Sequence, residues 1–484
     1  MSWKKVYNIK RNFYIKGEPM KRSYTAKNIW EEKNHDDIQN YSKGYIDFLS
    51  KAKTERLANK VVLEMAEKSG FKKYEDVLKS GSIKSGDKII LNQKNKSAVL
   101  MVIGTEPIKN GMNIVGSHID APRLDVKPMP LYEDGNMAFF KTHYYGGIKK
   151  YQWTAIPLAM HGVVFTKDGK QVDISIGEDD NDPVFFINDL LIHLASDQMQ
   201  KNAMKVVEAE QLNVVVGSIP LVTDEKEEKE LKNRIKENIL KFLNEKYQIE
   251  EIDFARSEIE IVPAGKAREV GFDRSMIAGH GHDDRVCSYA NIHAILNVEN
   301  PKYTAVCLLA DKEEVGSQGN TGMQGRFFEN MVAHLIALQE DYSDLKTRDA
   351  LENSKMLSAD VNGAYDPSFP DVWEKQNTAK ISEGITISKY TGSRGKSGSN
   401  DANAEFLAEI TKIFDDAGVI WQMGELGKTD QGGGGTIAYI LANLGVEVVD
   451  CGTSMLSMHA PIELVSKADA YMTFKGYEAF FNKK

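Results

Sequence analysis

The 484-residue chain carries 61 basic and 70 acidic residues, a formal net charge of -9, with 42% hydrophobic and 27% charged residues. That length suffices for two or three domains with a sizeable core, and the mixed, mildly acidic charge argues against nucleic acid or an anionic membrane as a partner. No segment reaches the roughly 20 apolar residues of a membrane span, and the opening MSWKKVYNIKRNFYIKGE has no apolar run after its positive charges. The scattered Cys287, Cys307 and Cys451 offer neither a disulfide framework nor a paired zinc site, so a reducing, cytoplasmic setting with buried thiols is expected.

In chain order, the stretch from about Tyr41 to Ser69, whose YIDFLSKAKTERLANKVVLEMAEKSG ends at Gly70, has apolar residues at helical spacing and reads as one amphipathic helix. SAVLMVIG and NIVGSHID are short apolar runs bounded by turn residues, the pattern of strands buried on both faces. After Pro122 the character changes. MAFFKTHYYGG, IPLAMHGVVFTKDGKQVDISIG and LNVVVGSIPL read as β-rich, with helices expected around DLLIHLASDQMQ and DEKEEKELKNRIKENILKFLNEKY. From about Arg268 the strands YTAVCLLA, KMLSAD, GITISKY and VEVVDCG alternate with helical stretches such as FFENMVAHLIALQ, NAEFLAEITKIFDDAG and TIAYILANLG. The fold class expected is α/β, a mainly parallel mixed sheet flanked by helices. Residues 1–122 and 268–484 would form that discontinuous domain, and 123–267 an inserted β-rich domain.

Reactive groups in such sheets gather beyond the carboxyl ends of the strands. NIVGSHID ends in His118 and Asp120, YTAVCLLADKEE in Glu313 and Glu314, and KMLSAD in Asp360; VEVVDCG leads to His459, and Asp283 opens a helical stretch in GHGHDDR. Taken singly, each has a plain structural reading: a hydrogen-bonded histidine, a turn aspartate, an acidic first helical turn. Taken together, two histidines and several carboxylates supply the N/O donors that two zinc-type ions require. Gly316 and Gly319 argue for a loop after the glutamate pair. On an extended backbone Glu313 and Glu314 point apart, so one can hold a metal while the other serves as a general base. A carboxylate two residues from a ligating histidine, as Asp120 is from His118, suits the fixing of its tautomer.

Two decoys fall away. HGHDD opens like a metallo-β-lactamase signature but continues with Arg285 where that signature has His, and GSRGKSG has Tyr390 where a Walker A loop needs Gly. The latter loop suits a substrate pocket, where Lys396 or Arg394 would pair with a carboxylate; a solvated basic loop is the alternative. The glycines around Gly433 either let backbone approach substrate or form a plain turn.

VGSHIDAPRLDVKP, YYGGI, DLLIHLA, HDDR, DKEEVGSQG, SADVNGAYDP, DQGGGG and MHAPIELVSKAD, in this order, resemble the aspartyl aminopeptidase and vacuolar aminopeptidase I family of two-zinc exopeptidases. The resemblance spans nearly the whole chain. It implies that Asp283 bridges two divalent ions, Zn2+ with Mn2+ or Co2+ as substitutes, that His118 and Asp360 complete one site, and that Glu314 and His459 complete the other. It makes Glu313 the general base and Asp120 the group orienting His118. It also implies a cis peptide after Asp283 and a dimerising insertion that lends His193 to the neighbouring site. The assembly implied is a homo-oligomer, a dodecamer built from dimers. The activity implied is removal of N-terminal residues, acidic or neutral, from peptide substrates. A metal-dependent amidase or deacetylase on the same scaffold, and a non-catalytic assembly or cargo-binding protein, are the competing readings.

Overall fold

The computed structural model describes residues 26–31, 35–222, 232–393, 396 and 400–483. A nine-stranded mixed sheet organises the chain, in the order Lys72–Lys73, Lys88–Gln93, Ser97–Val102, Thr304–Ala310, Met112–His118, Lys355–Ser358, Glu447–Gly452, Ile385–Ser388, Trp421–Met423. Its four central strands, from Thr304–Ala310 to Glu447–Gly452, run parallel, so their carboxyl ends open side by side. Strand pleating sends alternate residues to opposite faces. Leu100, Val115, Cys307 and Val449 join a core with Tyr45, Phe48 and Phe480, whereas Val99, Met101, Ile114 and Leu308 join another with Phe328 and Leu335. Helices therefore cover both faces, and the strands read as unbroken apolar runs because neither face meets water. Each such buried Leu or Val contributes about 1.5–3 kcal/mol relative to exposure.

Strand Met112–His118 lies between strands that come almost 200 and more than 240 residues later, so the chain leaves the sheet and returns to it. The intervening segment forms a second, seven-stranded antiparallel sheet, its strands falling between Arg123 and Pro263. That sheet has its own core around Leu124, Phe140, Trp153 and Val164, onto which helix Arg234–Tyr247 packs. A third, five-stranded sheet that sequence reading did not anticipate joins Met276–Gly279, Glu463–Ser466, Ser454–Leu456 and Asn362–Gly363 with Arg268–Val270. It borders the open strand ends of the large sheet.

Three local expectations are corrected. The stretch Tyr41 to Ser69 is two helices, Asp36–Lys51 and Glu55–Lys68. Thr54 turns extended and accepts the backbone N–H of Leu57, an N-cap that starts the second helix. DLLIHLASDQMQ forms only the 3-10 turn Ile192–Leu194 and the one-turn helix Ser196–Met199. Leu190, Leu191, Ile192 and Leu194 are all exposed there, so no apolar face is buried to support a longer helix. The charged helix is described as Arg234–Tyr247, and its expected first part, residues 224–231, lies outside the described residues. All three cysteines are free and buried, and no described helix is long and apolar enough to cross a membrane.

Candidate metal centre

Strand Met112–His118 delivers His118 to the open edge, and Asp360 lies two residues beyond Lys355–Ser358. From the third sheet, strand Met276–Gly279 leads through Gly281 into Asp283, and a turn between Ser454–Leu456 and Glu463–Ser466 presents His459. Gly281 has φ of +75°, the left-handed region that favours glycine, and a Cβ there would crowd the buried Arg285 guanidinium at 1.8 Å from Nη1. The Asp283–Asp284 peptide is cis, and both residues depart from helical geometry although helix His282–Leu296 surrounds them.

Donor atoms of His118, Asp283 and Asp360 form one group within 4.8 Å of one another, and those of Asp283, Glu314 and His459 form a second. Asp283 belongs to both. Its Oδ1 lies 3.2 Å from His118 Nε2 and its Oδ2 3.2 Å from His459 Nε2. Asp360 Oδ1 is 3.8 Å from His118 Nε2, Glu314 Oε2 3.6 Å from His459 Nε2, and Glu313 Oε2 4.0 Å from His118 Nε2.

Glu313 and Glu314 are not on an extended backbone, as sequence reading had it. They begin the 3-10 turn Glu313–Val315, closed by the left-handed residues Lys312 and Gly316. The reason is Asp120: its Oδ1 accepts the N–H of Glu313 at 3.1 Å and its Oδ2 that of Glu314 at 3.2 Å, capping the turn from a distant loop. The same carboxylate lies 3.3 Å from His118 Nδ1, and the Asp120 backbone carbonyl accepts from that nitrogen at 3.1 Å. His118 thus turns Nε2 toward Asp283. On the other side His459 donates Nδ1–H to the carbonyl of Gly147 at 2.7 Å, again leaving Nε2 toward the carboxylates.

The electrostatics describe a site built for cations. Burial opposes charge on both imidazoles, yet the carboxylates of Asp120, Asp283 and Asp360 push His118 well above the usual range, and Asp283 and Glu314 push His459 up to about 11. Burial and crowding with other carboxylates push Glu313 up to about 8 and Glu314 well above its ordinary value. Asp283 is held low: burial opposes its charge, but hydrogen bonds to both histidines outweigh it. Asp120, Asp283, Glu313, Glu314 and Asp360 outnumber the two imidazoles, and the buried Glu314 Oε1 has no hydrogen-bond partner. The donor set, N and O atoms only, with one carboxylate shared, fits two zinc-type cations.

The centre floors a cavity of about 830 Å³, whose walls include Tyr390, Lys396, Glu425, Gly433 and Thr436. Lys396 lies 2.9 Å from Asp401 and over the Tyr390 ring at 4.4 Å. Gly433, at φ of +113°, packs where a Cβ would meet the Gly392 carbonyl at 1.9 Å. Arg394 lies outside the described residues. His193 sits on the exposed turn Ile192–Leu194 and lines neither donor group nor cavity within this chain. His280 donates to the Pro461 carbonyl, and His282 shares a hydrogen bond with Tyr45, so neither histidine joins the donor groups.

Sequence reasoning missed three supporting groups. Buried Glu463 accepts the N–H of Asp283 at 3.1 Å and of His459 at 2.7 Å, tying two donors together. Tyr145 donates to Asp120 Oδ2 at 2.8 Å. Asp284 Oδ2 accepts the N–H of His118 at 3.2 Å. A carboxylate in the apolar strand Glu463–Ser466 was the one available signal, since a buried charge needs partners.

Residues 48–481 match the Aminopeptidase I zinc metalloprotease (M18) family. The chain is 53% identical over 460 residues to a probable M18 family aminopeptidase 1 of Clostridium acetobutylicum, covering 94% of this chain and 98% of that relative. The crystal structure of an M18 family aminopeptidase from Thermotoga maritima superposes with a TM-score of 0.90 at 42% identity, over 96% of this chain and 100% of that one. The S. cerevisiae mApe1 dodecamer shares the fold, with a TM-score of 0.73 at 22% identity over 93% and 97% of the two chains. The amidase, deacetylase and non-catalytic readings find no support among these relatives.

Proposed function

The chain belongs to the aminopeptidase I zinc metalloprotease family, M18, and is a metallo-aminopeptidase; from that premise we propose a two-ion centre shared through Asp283 as its catalytic machinery. The observation that carries this reading is Asp283 itself, with its two carboxylate oxygens each 3.2 Å from a different histidine. His118 and Asp360 would hold one divalent ion and Glu314 and His459 the other, zinc by family, with Mn2+ or Co2+ as substitutes. Bound there, the ions would polarise the scissile carbonyl and acidify a water.

The protein's own residues do the rest. Asp120 keeps the His118 ring and the two glutamates in place. Glu313 takes a proton from the attacking water and returns it to the leaving amine, a role suited to a carboxylate that lines the cavity beside both donor groups without belonging to either. The crowded carboxylates attract a free α-ammonium group, the mark of an N-terminal substrate. Lys396 and the backbone at Gly433 belong to the substrate pocket, with the lysine turning from Asp401 to an acidic side chain when one is offered.

Residues 1–122 with 268–484 form the catalytic domain in this reading, and 123–267 an inserted domain that joins copies of the chain. Its support is the exposed apolar run of Leu191, Ile192 and Leu194, more than half exposed each, in which His193 sits. The dodecameric mApe1 relative makes a dodecamer built from dimers the assembly we propose, with His193 reaching a neighbouring site. Cytoplasmic residence accords with the free thiols. Hydrolysis of a panel of aminoacyl amides and their N-acetylated counterparts, before and after chelation and metal restoration, tests the function. Metal-dependent release from free amino termini supports it; turnover of the acetylated set alone contradicts it.

A further inference from the structure

The inserted sheet touches the metal centre along one short segment. Strand Met137–Tyr145 ends beside the start of Arg123–Asp134, with Tyr145 paired to Arg123. Tyr145 hydroxyl donates to Asp120 Oδ2 at 2.8 Å. Two residues on, the Gly147 carbonyl accepts Nδ1–H of His459 at 2.7 Å. Between them Gly146, at φ of +74°, packs so tightly that a Cβ would lie 3.1 Å from Glu314 Oε2. Three consecutive residues of the insertion therefore meet Asp120, Glu314 and His459, which came to the centre from three different parts of the fold.

The segment is itself held. The Arg123 guanidinium stacks on the Tyr145 ring at 3.8 Å, and it is anchored by Glu55 at 3.1 Å and Asp125 at 2.8 Å. Glu55 belongs to helix Glu55–Lys68 of the catalytic part, so the tyrosine is clamped from both sides of the domain boundary.

We propose that Tyr145, Gly146 and Gly147 form a positioning element through which the inserted sheet sets the Asp120 carboxylate, the Glu314 side chain and the His459 ring. The inference rests on the two-ion reading above. Groups that orient metal-binding side chains typically matter by about 10–100-fold in metal affinity or activity. Tyr145→Phe keeps the ring under Arg123 and removes only the hydroxyl. Gly146→Ala adds one methyl group against Glu314 and strains the left-handed backbone at that residue, so it disturbs the element at its centre.

The experiment measures zinc affinity of metal-stripped protein, by competition with a chromophoric chelator, together with kcat and KM on an aminoacyl amide. Trp153→Phe, in the buried core of the inserted sheet, reports what general weakening of that sheet does. The expected result is a 10–100-fold loss for Tyr145→Phe in kcat or zinc affinity with KM within about twofold, a comparable zinc loss for Gly146→Ala, and neither loss for Trp153→Phe. Wild-type kcat and zinc affinity in Tyr145→Phe would overturn the proposal, as would equal losses in Trp153→Phe. If Tyr145→Phe does not fold, the zinc affinity of Gly146→Ala decides. If the unaltered protein hydrolyses no aminoacyl amide, the catalytic reading fails while the zinc competition still judges the positioning element.

Discussion

Asp120 caps the turn that begins at Glu313: its Oδ1 accepts the Glu313 N–H at 3.1 Å although 193 residues separate the two. The same carboxylate lies against His118 Nδ1, so one buried side chain aligns both the histidine proposed to hold an ion and the glutamate proposed as base. Asp120→Asn places an amide N–H₂ against groups that are already donors. The expected result is a fall in kcat of about 10–100-fold with little change in KM, read from steady-state kinetics at saturating zinc.

Asp283 makes a harsher prediction, because it serves both donor groups. Asp283→Ala should lose both ions, measured as zinc per subunit after gel filtration. Retention of two ions would place the shared ligand elsewhere.

Lys396 is a question of specificity. Its ammonium is met by Asp401 at 2.9 Å in an exposed, solvent-screened pair, a weak interaction that a substrate carboxylate can displace. Lys396→Ala should raise KM several-fold for amides with N-terminal Asp or Glu and leave Leu substrates unchanged. Equal effects on both classes would remove Lys396 from side-chain recognition.

Stability should carry a pH signature away from the centre. Asp469, buried at the start of helix Lys467–Phe481, accepts the N–H groups of Ser382 at 2.6 Å and Gly384 at 2.8 Å, and burial pushes its carboxyl up to about 7. Between about pH 4, where the unfolded side chain ionises, and about pH 7 the folded state holds a proton that the unfolded state has released. Its contribution to stability therefore falls as pH rises through that window, by an amount on the order of 4 kcal/mol at most. Denaturant unfolding of metal-free protein at pH 5 and 7.5 should show a smaller decline for Asp469→Asn than for the unaltered chain. Identical declines would contradict the assignment.

Much of this was legible in the sequence, and the reason is geometric. Parallel strands buried on both faces announce themselves as apolar runs, and their carboxyl ends lie side by side, so polar residues just past NIVGSH, YTAVCLLA and KMLS were bound to meet. The groups that came from other sheets were harder to see. Tyr145 sits in a strand whose only relation to the centre is tertiary, and no spacing rule connects it to Asp120; Glu463 lies only four residues past His459, but its bond to the distant Asp283 N–H exists only in the fold. The extended backbone expected at Glu313 failed for the same reason, since the cap that curls it lies far away in sequence. Apolar spacing misled at residues 189–200, where the apolar side chains face outward rather than into a core.

The central claim is that Glu313 moves protons while its neighbours hold the ions, and Glu313→Ala tests it most directly. Zinc content and turnover are measured on the same preparation. Two zinc ions per subunit with turnover reduced at least about 10²-fold is the result predicted, within the usual range for losing a general base. Normal turnover by the zinc-loaded variant would contradict it and move the base to another residue.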